Sequence, residues 1–457
     1  MILEKKKMHF IGIGGIGMSS IAIILLKMGY KISGSDLESN SLTEKLKKLG
    51  ADIFIGHSEG NVGPDVEIAV YSSCINNANP EIVQARQRGI PIVKRAEVLG
   101  ELLNSKKGIA ITGTHGKTTT TSLISVMLEN GGLDPTVIIG GEVALFGSNA
   151  KYGNGEFLVA EADESDGSFI YLKPFYSVIT NIEMEHVDYY GTLEDSITAY
   201  AAFANNTKKQ GALFYNNDDE NIKKMLKNFK GKSESFSLYK GADIYPHEIK
   251  MSEFRSSYLC VYKNEVLGRV FLKIPGRHNI LNSLAAIQVG LKAGLSFEKI
   301  TQGIQDFTGT KRRFHLRADC EGVMLIDDYA HHPTEIRAVL EACGNWKGRR
   351  LVVIFQPHRY SRTKFLAEEF GRCFKGCHKL ILTDIYAASE EPIEGISSKV
   401  IYDRVKKHGP DDVIMLGKKE IADHIMKSKK SGDMILVLGA GDIKDIANEL
   451  SEKLNKR

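Results

Sequence analysis

The chain has 457 residues, 42% hydrophobic and 25% charged, with a formal net charge of +4. That length holds about three domains of ~150 residues, and so small a charge gives no basis for a nucleic-acid or membrane partner. Six scattered cysteines in so long a chain argue for reduced thiols and against a disulfide framework.

The start "MILEKKK" precedes apolar residues as a signal peptide would, but Gly12, Gly14, Gly15 and Gly17 interrupt that run and no small-residue cleavage site follows. The chain therefore reads as mature and cytoplasmic. Short apolar strands alternate with amphipathic helices throughout, the pattern of α/β architecture with mostly parallel sheets. Residues 8–36 read as one βαβ unit: strand "HFIGI", a glycine turn, a helix with Ile21, Ile24, Leu25 and Met28 on one face, then strand "YKISGSD". Gly12, Gly14 and Gly17 fit G-x-G-x-x-G, with Asp36 about twenty residues on, where a ribose-binding acid belongs. The motif does not choose among NAD, FAD and UDP-sugars, and a turn that merely packs helix on strand is the plainer alternative.

The polar stretch "LNSKKG" marks a first boundary, after which strand "GIAIT" leads into "GTHGKTTTT". Here Lys117 would neutralise β- and γ-phosphates and the Thr118 hydroxyl would reach magnesium. Only Thr114 and His115 separate Gly113 from Gly116, where the usual phosphate loop has four residues, so the loop is a variant. "FLVAEADESD" is a strand ending at Glu161, a carboxylate that can face the phosphate loop; a solvated acidic loop is the alternative. "SVITNIEMEHVDYY" is another such strand, followed by Glu183, Glu185, His186 and Asp188. The helix "NILNSLAAIQVGLKAG" carries Asn279 and Asn282 three apart, either a functional pair on one face or an N-cap and a surface residue.

After "GTKRRFH" a third strand-helix series runs through "VMLIDDYAHHPTEIRAVLEA", "RRLVVIFQPHRYSRT", "HKLILTDIY" and "DMILVLGAGD". Lys311, Arg312 and Arg313 would suit a solvated basic turn as well as an anion site. His331 and His332 do not read as a metal pair with Glu335, because Pro333 starts a helix and adjacent helical side chains diverge. Cys373 and Cys377 in "CFKGCH" lack the second cysteine pair that zinc would need. Strand "LVVIF" delivers Arg359 and Arg362 to its C-terminal end, and two planar guanidinium forks there suit a free carboxylate; a solvated helical turn is the alternative.

Taken in order, "GTHGKTTTT", "EADESDGSF", "TNIEMEHVDYY", "PGRHNILNSLAAI", "KRRFH", "DDYAHHPTEI" and "QPHRYSRT" resemble the Mur ligases over essentially the whole chain. The resemblance implies an α/β chain of three domains: a Rossmann-like N-terminal domain over residues 1–105, a central P-loop ATPase-like domain over 106–308, and a Rossmann-like C-terminal domain over 309–457. Gly12, Gly14, Gly15, Ile16, Gly17 and Asp36 would then hold a UDP-sugar. Gly113, Thr114, His115, Gly116, Lys117, Thr118 and Thr119, with Asn279, Asn282 and Arg313, would hold ATP. Thr118, Glu161 and His186 would ligate magnesium, two ions in all; Lys117, His186, Arg313 and Asp328 would serve catalysis. Tyr329, His331, His358, Arg359 and Arg362 would hold the amino acid.

Several Mur ligases carry a carbamylated lysine where this chain has Phe203, and the alanine-adding members lack it too. The implied reaction is ATP-dependent ligation of L-alanine to the lactyl carboxylate of UDP-N-acetylmuramate through an acyl phosphate, in peptidoglycan synthesis. Its partners would be those small molecules alone, with no nucleic acid and no membrane, in a monomer or homodimer. A ligase that reattaches a whole peptide to the same sugar nucleotide is the nearest alternative. An NAD-dependent dehydrogenase is favoured only by the first motif, whereas a non-catalytic nucleotide-sensing protein is compatible with the complete set.

Overall fold

The computed structural model describes residues 2–187 and 189–455, so Asp188 lies outside the described residues. Five short strands open the chain: β1 (Lys7–Ile11), β2 (Lys31–Asp36), β3 (Asp52–Ile55), β4 (Ile68–Tyr71) and β5 (Ile92–Lys94). They pair in parallel in the order β3-β2-β1-β4-β5, the strand order of a dinucleotide-binding sheet. Helix Ile16–Lys27 follows β1 and buries Ile21, Ile24 and Leu25, as its 3.6-residue spacing requires. The turn after it passes through Gly29 at φ 86°, a conformation that suits glycine.

The central sheet contains β6 (Lys107–Thr112), β7 (Thr136–Val143), β8 (Ser148–Lys151), β9 (Phe157–Glu161), β10 (Tyr176–Ile179), β11 (Ala212–Asn216), β12 (Ser233–Phe236), β13 (Ile244–Ser252), β14 (Arg255–Tyr262) and β15 (Glu265–Leu272). Their order is β15-β14-β13-β12-β11-β10-β6-β9-β7-β8. Strands β10, β6 and β9 are parallel neighbours, so the loops leaving their C-terminal ends emerge side by side. This edge is where open α/β sheets bind ligands. Helix Lys117–Asn130 buries Leu123, Ile124, Met127 and Leu128.

One hydrophobic cluster runs through both of these sheets, joining Met18, Ile21, Leu99 and Leu102 to Ala150, Leu158, Phe169 and Leu172. Polar contacts follow the same seam: the Asn149 side-chain amide donates to the Ser20 hydroxyl at 2.7 Å and to the Ile16 carbonyl at 3.0 Å. Phe203, on helix Leu193–Asn205, is fully buried and stacks on Phe169 at 5.3 Å.

The third sheet holds β16 (His315–Cys320), β17 (Val323–Asp328), β18 (Arg350–Phe355), β19 (Lys379–Leu382), β20 (Asp412–Met415) and β21 (Asp433–Leu438), in the order β16-β17-β21-β18-β19-β20. Only β16 joins antiparallel. β21 separates β17 from β18, and the loops after those two strands leave the same edge. The chain is thus a three-domain α/β protein built on three mostly parallel sheets. Contacts divide it into two compact units: Met1–His247, Cys260–Val270 and Leu281–Phe307 in one, Glu248–Leu259, Phe271–Ile280 and Thr308–Arg457 in the other.

Candidate functional site

In the first unit the glycine loop after β1 is fixed by main-chain bonds. Gly12 N–H and Ile13 N–H both donate to the Ser35 carbonyl at 2.9 Å. Gly12 lies at φ 81°, and Gly14 N–H donates to Asp36 Oδ2 at 2.8 Å. The carboxylate expected on a ribose therefore also closes the loop. A Cβ at Gly14 would come within 2.9 Å of that same oxygen. Helix Ile16–Lys27 starts behind Gly15 with no side-chain cap, leaving a positive helix end at the loop.

Two residues that the sequence did not single out support this loop. Glu81, fully buried, accepts from Ser35 Oγ at 2.5 Å, Asn61 Nδ2 at 2.6 Å and Ser58 N–H at 3.2 Å. Burial opposes its ionisation, but hydrogen bonds from His9, Ser35 and Asn61 outweigh it and hold the carboxyl at about 2. Arg95 lies along Gly17, where a Cβ would stand 3.1 Å from Nη1. Its Nη2 reaches Asp163 Oδ2 at 3.6 Å, so one cation touches both the first glycine loop and the acidic loop after β9.

The second glycine loop follows β6. Gly113, at φ 135°, has no room for a side chain, since a Cβ would fall 2.0 Å from Thr180 Oγ1. The end of β10 holds the loop: His115 N–H donates to Asn181 Oδ1 at 2.8 Å and Thr180 Oγ1 donates to the His115 carbonyl at 2.6 Å. Gly116, left-handed at φ 83°, opens helix Lys117–Asn130 with no side-chain cap. Asn282 backs the loop, its Oδ1 2.9 Å from where a Gly116 Cβ would be. Thr118 and Thr119 are nearly buried in the first helical turn.

Lys117 Nζ donates to the Gly113 carbonyl at 2.6 Å, the Thr114 carbonyl at 3.3 Å and Glu164 Oε1 at 2.6 Å. Burial disfavours its charge, but Glu164 and Asp163 prevail and raise its pKa. Glu164 is buried, and burial pushes its carboxyl up to about 7 against the pull of Lys117. His186 Nε2 stands 3.9 Å from Glu164 Oε1, with the His186 backbone at φ 53°. Glu161 ends β9 and accepts from Gly140 N–H at 2.7 Å. His115 Nε2 lies 3.5 Å from Glu183 Oε2. Glu164 Oε2 is buried without a hydrogen-bond partner among the described residues. The orphaned Glu164 oxygen, the Thr118 hydroxyl and the Glu161 carboxylate are hard oxygen atoms, the donor type that magnesium prefers.

In the second unit Asp328 ends β17 and accepts from Phe314 N–H at 2.6 Å and Ala330 N–H at 2.7 Å. Burial lifts its carboxyl to about 6, opposed by Arg313. The Arg313 guanidinium lies 5.0 Å over the Tyr329 ring, and its Nη1 is 3.8 Å from Glu335 Oε1. Glu335 also accepts from His331 N–H at 3.0 Å, so it serves the start of helix Pro333–Cys343. Asn279 is buried and donates to the Pro275 carbonyl at 2.6 Å.

The residues expected at an amino-acid site gather at the edge between the loops after β17 and β18. The Tyr329 and His331 rings are 5.4 Å apart, and the His331 and His358 rings 5.6 Å apart. Arg362, buried, has Nη1 2.8 Å from His358 Nδ1 and donates to the His358 carbonyl at 3.1 Å. Arg359 sits at φ 70° and ψ 140°, a backbone region that costs a non-glycine residue about 1–3 kcal/mol. The His358 ring stacks on Tyr386 at 5.6 Å, and Arg359 Nη1 is 3.8 Å from Glu390 Oε1. Tyr386 and Glu390, in the loop after β19, carried no motif.

The sequence matches the Mur ligase family catalytic domain over residues 7–107, the Mur ligase middle domain over 111–290 and the Mur ligase glutamate ligase domain over 312–441. It is 45% identical to the UDP-N-acetylmuramate–L-alanine ligase of Geotalea daltonii, over 99% of this chain and 98% of that protein. The enzyme of the same name from Pelotomaculum thermopropionicum is 44% identical, over 99% and 98%. The fold superposes on the crystal structure of the UDP-N-acetylmuramate–alanine ligase of Thermotoga maritima with a TM-score of 0.84 and 30% identity, covering 98% of this chain and 99% of that one. A murein peptide ligase from Psychrobacter arcticus, at TM-score 0.73 and 22% identity over 99% of each chain, shares the fold.

Proposed function

The chain belongs to the Mur ligase family, and from that premise we propose which of its residues carry the reaction. It is an ATP-dependent ligase that joins L-alanine to UDP-N-acetylmuramate in peptidoglycan synthesis. Residues 1–105 bind the sugar nucleotide, 106–308 bind ATP and 309–457 bind the amino acid. Among the described residues no helix is long and apolar enough to cross a membrane. We place the reaction in the cytoplasm, where its soluble nucleotide substrates are made.

The lactyl carboxylate of UDP-N-acetylmuramate attacks the γ-phosphorus of ATP, forming an acyl phosphate and releasing ADP. The neutral amine of L-alanine then adds to the acyl carbon, and the tetrahedral intermediate collapses to the amide with loss of phosphate and a proton. Such chemistry asks for positioning and charge neutralisation more than for covalent participation. Lys117 carries the assignment: its ammonium is held at the mouth of the second glycine loop by two loop carbonyls and Glu164, aimed where transferring phosphate oxygens would lie. With the Thr114 and His115 N–H groups bonded to Asn181, main-chain N–H groups of the first turn of helix Lys117–Asn130 cradle the remaining phosphate charge. Thr118, Glu161 and His186, with Glu164 beside them, would hold magnesium, which supplies further neutralisation of the phosphates. For Asn279, Asn282, Arg313 and Asp328 the assignment to ATP follows from the family's motifs.

The first glycine loop, closed by Asp36 and backed by the start of helix Ile16–Lys27, takes the pyrophosphate and sugar of the UDP-sugar. Calorimetric titration of the purified chain is expected to show UDP-N-acetylmuramate binding and none for NADH. Binding of NADH alone would return the loop to the dehydrogenases.

A further inference from the structure

Arg359 has a backbone conformation that glycine visits freely and arginine does not, with φ 70° and ψ 140°. The chain outside its own loop imposes it. Arg359 N–H donates to the Tyr386 carbonyl at 2.8 Å, and Tyr386 N–H returns a bond to the Pro357 carbonyl at 2.9 Å. Four residues beyond Tyr386, Glu390 closes the same connection from the side chain. Glu390 Oε2 accepts from Ser361 N–H at 3.0 Å, Glu390 Oε1 accepts from Ser361 Oγ at 2.5 Å, and Arg359 Nη1 lies 3.8 Å away.

One carboxylate thus holds the first turn of helix Tyr360–Phe365, which carries Arg362, and the guanidinium of the residue just before it. The loop that supplies it is itself bent through two left-handed non-glycine residues, Ala388 at φ 50° and Ser389 at φ 69°. One strained residue on one side of the contact and two consecutive ones on the other, tied by four hydrogen bonds, mark a geometry that the fold enforces against local preference.

We propose that Glu390 is a positioning residue for the amino-acid subsite: it aims the Arg359 guanidinium and seats the helical turn bearing Arg362, while making no contact with substrate itself. The proposal rests on the reading above that these two arginines hold the alanine carboxylate. A bidentate grip depends on orientation, so a guanidinium released from Glu390 keeps its charge and loses its aim.

The test is steady-state kinetics on the full-length enzyme with each of the three substrates varied in turn, for Glu390→Gln, Ser361→Ala and Arg359→Lys, alongside thermal melting. Glu390→Gln is expected to raise KM for L-alanine about tenfold with KM for ATP and for UDP-N-acetylmuramate within twofold. Ser361→Ala, which removes the hydroxyl contact and keeps the N–H, is expected to shift the same constant in the same direction by less. Ser361→Ala also stands in for Glu390→Gln if that variant does not fold. Unchanged alanine dependence in Glu390→Gln, or in Ser361→Ala standing in for it, beside a raised KM in Arg359→Lys, overturns the proposal and leaves the arginine assignment standing. Three KM values rising together would reduce Glu390 to a structural residue and also overturn it. Unchanged alanine dependence in Arg359→Lys removes Arg359 from the carboxylate grip, and this proposal with it.

Discussion

Lys117→Ala is expected to abolish turnover while leaving UDP-N-acetylmuramate binding nearly intact. The lysine is a cation at the mouth of the second glycine loop, bonded to the Gly113 and Thr114 carbonyls and to Glu164. Charge that develops on a phosphoryl group in flight would lose its preorganised partner. Removing one such group costs about 3 kcal/mol or more in the barrier, roughly two orders of magnitude in rate. The sugar-nucleotide loop, built on β1 and β2, does not depend on it. Phosphate release and calorimetric titration measure the two halves; phosphate release at the wild-type rate would remove ATP from this loop.

The second large effect concerns the amino acid. Arg359→Lys or Arg362→Lys is expected to raise KM for L-alanine strongly, by about 2 kcal/mol or ~30-fold, with little change for ATP. Lysine keeps the charge but has no planar fork to match a carboxylate. Arg362 has the added constraint of its contact with His358 in a buried setting, which a shorter and differently branched donor set would not reproduce. Kinetics with each substrate varied separate the two constants, and alanine dependence unchanged in both variants would place the carboxylate elsewhere.

The glycine loops were legible in the sequence because backbone sterics write them there. Gly113 and Gly116 are needed for close approach and positive φ, and those needs act over a few residues. Hydrophobic period gave the helices that follow for the same local reason. The residues that went unread have meanings set by distant partners. Glu164 is one of several acids in "EADESD", and only its bond to a lysine 47 positions away distinguishes it. Glu390 acquires a role from Ser361, 29 residues back, and Arg95 from lying against Gly17 and Asp163. Gly17 was read as the third glycine of the G-x-G-x-x-G motif, and what its missing side chain admits is a guanidinium. Asp36 was placed by spacing, but its bond to Gly14 N–H depends on how the loop closes.

The hydrophobic cluster that joins Met18, Ile21 and Leu99 to Ala150, Leu158 and Phe169 has a consequence during synthesis. When the first hundred residues leave the ribosome, their strands can pair, but the apolar face of helix Ile16–Lys27 that packs on strands β7 and β8 has nothing yet to cover it. At about 5–20 residues per second, several seconds pass before those partners and then Phe203 are made. Until then that face is open to solvent and to other nascent chains, and the interval is the one in which a holdase chaperone would matter to yield.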